Sequence, residues 1–182
     1  TSTGGSTTVG GQVTGNVTAT GTSTLVQIND NVTGNLAVTN GAGNVTGTVG
    51  NGVSVNAGSS STVGGAITGN VTTAGTFNGG AGVSGALNVT GGTTTLTGAV
   101  GTNLDVASGG TATVDDVTGN VNSAGTATVN NNVGGDVNVT AGNTSVGGTV
   151  GGNVDVDSGA TGSVGGAITG TVTNDGTLTV SD

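Results

Sequence analysis

A degenerate motif, V-x-G-N-V, returns every 16–19 residues along almost the whole chain. Its starts fall at Val13, Val32, Val49, Ile67, Val83, Val100, Val117, Val133, Val150 and Ile168. Self-similarity at a short, nearly constant period marks a repeat architecture, in which each unit is completed only by its neighbours. Ser6-Thr7-Thr8-Val9 matches the end of such a unit and supplies part of a further turn.

An idealised unit reads V-x-G-N-V-x-V-x-x-G-T-x-T-V-x-G-x, and its positions are numbered here as places 1 to 17. Val133 to Thr149 fits it without a gap, with Val133, Val137, Val139 and Val146 at apolar places 1, 5, 7 and 14. Alternation through Val137-Asn138-Val139 and through the T-x-T-V stretch has period two, which predicts short strands. The Gly-Asn and Ala-Gly pairs between them predict corners, since Gly takes positive φ at little cost and Asn tolerates it. No 3.6-residue period and no helix cap is present. A strand–turn–strand unit of about 17 residues cannot bury its own inward face. Stacked at ~4.8 Å, ten such units form a rod of roughly 48 Å. The expected fold is therefore all-β: one parallel β-helix (β-solenoid) over residues 1–182, of about ten coils.

Composition supports a thin cross-section. The 182 residues include 42 Gly, a single aromatic residue (Phe77), and no Pro, Cys, Met, Trp, Tyr, His, Lys or Arg. A conventional globular core needs more bulk than this. Val and Ala fill a narrow solenoid, and a disordered chain is the competing outcome for such a Gly/Ser/Thr-rich sequence.

The missing residue types also exclude chemistries. Without Cys or His there is no thiol nucleophile, disulfide, zinc site or imidazole base. Without Lys there is no Schiff base. A formal charge of −9 with no cation opposes nucleic-acid binding and anionic membrane surfaces. No apolar run approaches the ~20 residues of a membrane span. No catalytic residues and no cofactor are expected. A chain lacking Lys, Arg, Cys and Met offers little to trypsin-like proteases or to oxidants, which suits an extracellular setting. No signal peptide is visible and the chain opens at Thr1, so a mature or excised segment is expected.

Three polar patterns are candidate sites. Place 4 carries Asn16, Asn35, Asn70, Asn103, Asn120 and Asn153, with Asp136 substituting once. Stacked amides donate and accept along a row, so a structural Asn ladder is expected there. Places 11 and 13 carry Thr22/Thr24, Thr93/Thr95, Thr111/Thr113, Thr126/Thr128 and Thr177/Thr179, and the other coils carry Ala, Asn, Ser or a single Thr. Paired Thr columns resemble the water-ordering faces of β-helical ice-binding proteins, although Thr is also simply a good β-former that faces water. Asp136, Asp155 and Asp157 are weak calcium candidates. The G-G-x-G-x-D pattern of calcium-binding β-rolls is absent, so solvated surface charge is the alternative. Seven N-x-S/T sequons occur, about the number that the Asn, Ser and Thr content produces by chance.

Phrases such as GAITGNVTTAGTF and GAITGTVTNDGTLTV resemble the repeats of bacterial surface β-helices. These are autotransporter passengers, filamentous-haemagglutinin-like adhesins and related cell-surface or biofilm-matrix filaments. The resemblance implies a right-handed parallel β-helix in a secreted structural or adhesive role, and carries over no functional residues. The motif runs almost to both termini with no polar capping unit, whereas solenoids ordinarily cap their ends. Self-association head to tail into a filament is the expectation, or else membership of a longer solenoid. The rival function is ice binding through the Thr-x-Thr face.

Overall fold

The computed structural model describes residues 1–181, and every regular element among them is a strand. Two parallel sheets run the length of the molecule, one of eleven strands and one of ten. The short-sheet strands hold places 5 to 7, as in Val137–Val139. The long-sheet strands hold places 11 to 14, as in Asn143–Val146. A third row of single-residue parallel bridges joins place 1 of successive coils, from Val13↔Val32 to Val150↔Ile168. Each coil thus meets its neighbours along three parallel ladders. The fold is a β-solenoid of about ten coils, as the period predicts.

Register is like on like. Val137 pairs with Val121 below and Val154 above, and Val146 with Val129 and Val164. The single-residue ladder bonds in the same fashion: Val133 donates its N–H to the Thr149 carbonyl at 2.9 Å and accepts from Gly151 N at 2.8 Å. A backbone group left unpaired by one coil is satisfied by the next, so a lone coil has no stable alternative.

The core is a continuous column of aliphatic side chains, almost all Val, from Val17 to Val164. Alternation along the long sheet buries place 12 as well as place 14, a second inward position that the motif does not show. Place 12 holds Val26, Gly43, Ser61, Phe77, Thr94, Ala112, Ala127, Thr144, Gly162 and Leu178 in turn. Its volume is matched locally. Phe77 is fully buried because Gly79 stands at place 14 of the same coil. A Cβ on Gly79 would press into Leu96 of the next coil and lie 3.2 Å from the Phe77 ring. Corner glycines serve the stacking. Gly142 takes a φ of +67°, and a side chain there would strike the Gly125 carbonyl one coil below.

One expected pair is displaced. The long-sheet strand of the first full coil is Leu25–Ile28, and its outward residues are Leu25 and Gln27, in register with Ala42 and Asn44. Thr22 and Thr24 precede that strand in the corner, and Thr24 is buried. This coil carries two extra corner residues, with Ser23 at a φ of +70°. Thr22-Ser23-Thr24 therefore imitates strand alternation without forming a strand.

Candidate functional site

The polar rows are built by stacking, and each side chain lands on its neighbour in the next coil. At place 4, the side-chain oxygen points along the stack and caps a backbone N–H of the coil above. Asn35 N donates to Asn16 Oδ1 at 2.8 Å, Gly52 N to Asn35 Oδ1 at 2.9 Å, and Ala86 N to Asn70 Oδ1 at 2.9 Å. The row continues from Asn120 N to Asn103 Oδ1, from Asp136 N to Asn120 Oδ1, and from Asn153 N to Asp136 Oδ1. Asn153 Oδ1 accepts from both the backbone and the hydroxyl of Thr171. Only Asn35 Nδ2 to Asn16 Oδ1, at 3.3 Å, joins amide to amide. The row is thus a chain of backbone caps, and Asp136 fits it because a carboxylate supplies the same acceptor.

Two further polar rows are not evident from the motif. At place 17, Asn31 Oδ1 caps Thr48 N, Asp116 Oδ1 caps Asn132 N, and Asn132 Oδ1 caps Thr149 N. At place 6, on the outer face of the short sheet, the stack forms a true side-chain ladder. Asn122 Nδ2 donates to Asp105 Oδ1 at 2.7 Å and Asn138 Nδ2 to Asn122 Oδ1 at 2.9 Å. The signal was present in the sequence as Asp105, Asn122, Asn138 and Asp155. It was hidden among Thr, Ala and Ser at the same place in other coils.

The calcium candidates do not converge. Asp136 sits in the place-4 row, Asp155 lies on the outer face of the short sheet opposite Asn138, and Asp157 follows that strand at an exposed corner. Among the described residues no three His, Cys, Asp or Glu side chains are grouped to hold a metal ion.

The Thr columns are regular where they are complete. Thr93, Thr111 and Thr126 pair in register, as do Thr95, Thr113 and Thr128, and all six project outward from the long sheet. Thr76/Asn78 precede this block and Asn143/Ser145 follow it. Thr177/Thr179 stand alone on the last strand.

The two ends of the stack differ. The first rung consists of Ser2, bridged to Ala19, and of the strand Ser6–Val9 paired with Leu25–Ile28. It has no residue over Val13 or Val17. A cleft of about 120 Å³ opens there, lined in part by Thr7, Val9, Val13, Val17, Val26 and Ile28. The last coil is complete, with Ile168 on the single-residue ladder, Val172–Asn174 on the short sheet and Thr177–Val180 on the long sheet. Its outer edge is bare: Val172 is 47% exposed and Val180 46%.

No protein-family model matches this chain, and no curated protein or solved structure shows a significant match to it.

Proposed function

We propose that this chain is an extracellular, non-enzymatic structural protein whose subunits stack head to tail into a filament, as a surface fibre or biofilm-matrix element with adhesive capacity. The observation that carries this reading is the pair of open ends. An unpaired parallel strand edge at one end faces the same edge, with the same polarity, at the other. Like-on-like register gives every column a chemically matched continuation. Contact between two different patches propagates without closing. The bacterial surface-filament resemblance of the repeats and the absence of Lys, Arg, Cys and Met support the extracellular setting.

Electron microscopy of the purified 182-residue chain at high concentration tests the reading. Unbranched fibres one solenoid wide, or bundles of them, are expected. A monodisperse monomer across the whole concentration range would overturn it.

A second reading, ice binding, is favoured by the three-coil Thr block at residues 93–128. It expects thermal hysteresis that falls sharply in Thr111→Leu and Thr126→Leu. Hysteresis no greater than that of an inert protein at equal concentration removes it.

A further inference from the structure

Resting on the filament reading, we propose that the strand Ser6–Val9 is a displaceable plug. On assembly, the terminal coil Ile168–Val180 of a second copy takes its place over the coil Val13–Ile28.

The first rung is the weakest in the stack. Its strand is exposed except for Val9, which is half-buried, and it offers only Thr7 and Val9 to the core beneath. Gly4-Gly5 and Gly10-Gly11 bracket it, and a Cβ at any of the four would meet no atom within 4 Å. Nothing but the pairing with Leu25–Ile28 and the Ser2 contacts holds the segment down.

Two registers are open to an incoming copy. In the first, its strand Thr177–Val180 pairs with Ser6–Val9, leaving the plug in place. Ile168 and Val172 then face Val13 and Val17 across an empty rung, at about 9.6 Å, twice the strand spacing. That is beyond the ~4.5 Å reach of apolar contact. Both pairs stay open and two of the three ladders break. In the second register the plug leaves. Ile168 then covers Val13, Val172 covers Val17, Leu178 covers Val26 and Val180 covers Ile28, each one rung apart. All three ladders continue through the joint, and four aliphatic side chains replace a Thr and a Val.

The partner's chemistry points to a second copy in this orientation. Eight of the nine acids lie at or beyond Asp105, and only Asp30 precedes them. A tail-to-tail contact sets two acidic halves against each other, whereas tail-to-head sets an acidic half against a neutral one.

Cysteine pairs separate the registers, because the chain has no cysteine of its own. Thr8 and Gln27 are outward partners on paired strands, within the Cα separation a disulfide spans. In Thr8→Cys/Gln27→Cys, oxidation pins the plug and is expected to slow fibre growth at least tenfold, with full recovery on reduction. Thr128→Cys/Ser145→Cys, a mid-stack pair, is expected to assemble equally in both redox states. Joint crosslinking reads the register directly. Thr179→Cys is expected to form intermolecular disulfides with Gln27→Cys and not with Thr8→Cys. Undiminished fibre growth from the oxidised plug variant, or crosslinking of Thr179→Cys to Thr8→Cys alone, overturns the proposal while leaving the filament reading standing. Absence of fibres from the unsubstituted chain removes both.

Discussion

The hydroxyls of Thr24, Ser59, Thr94, Ser123 and Thr144 are buried and have no hydrogen-bond partner among the described residues. Thr94 stands at place 12 between Phe77 and Ala112, where the core is otherwise apolar. An unpaired buried hydroxyl costs roughly 1–3 kcal/mol. Thr94→Val keeps the shape and removes that cost, so the denaturation midpoint should rise by the equivalent of about 1–2 kcal/mol. Ser61 is the contrast, since its Oγ donates to the Gly43 carbonyl at 2.7 Å. The place-4 caps allow an equally local test. Asn120 Oδ1 accepts from Asp136 N at 2.9 Å. Asn120→Ala should lower stability by about 1 kcal/mol, while Asn120→Asp keeps the acceptor and should lose far less. A larger loss in Asp than in Ala, measured by urea unfolding, would count against the cap.

Strands and corners were legible in the sequence to different degrees. Places 1, 5, 7 and 14 announce themselves because one residue type, Val, recurs there. Place 12 is equally buried but ranges from Gly43 to Phe77, so periodicity alone could not reveal it. What fixes that column is volume matching between coils, as at Phe77 and Gly79, and such matching is a property of the stack. The same limit applies to Thr22 and Thr24, where two extra corner residues mimic a strand, and to Asn16, whose amide oxygen serves the backbone of the next coil. Coils of 16–19 residues stack without interrupting either sheet, so length variation is absorbed at corners. Deleting Ala141, at an exposed corner, should leave a folded protein with a circular-dichroism spectrum close to that of the parent. Deleting Thr128 within its strand moves Ala127 or Val129 to the opposite face. That variant should show a clearly lower melting temperature than the corner deletion, and equal melting would contradict the assignment.

At the scale of the molecule, stability is a sum over rungs and their interfaces, not the property of one central core. Removing the coil Val117–Asn132 joins Asp116 to Val133 in the same phase of the motif. The shortened chain should remain soluble and β-rich by circular dichroism, whereas loss of cooperative unfolding would count against modularity. Charge acts on the whole length as well, since each subunit brings −9 with no cation to offset it. Screening shortens the range of that repulsion to ~8 Å at physiological salt. Light scattering should therefore find a lower threshold concentration for assembly at 0.5 M NaCl than at 10 mM, and an unchanged threshold would argue that subunits do not approach end to end. The phase-preserving repeat has one more result. Duplicating or excising a unit changes the rod by one strand spacing of ~4.8 Å and leaves both end surfaces as they were. Such a molecule is a ruler graduated in rungs, whose span recombination can reset without redesigning what stands at either end.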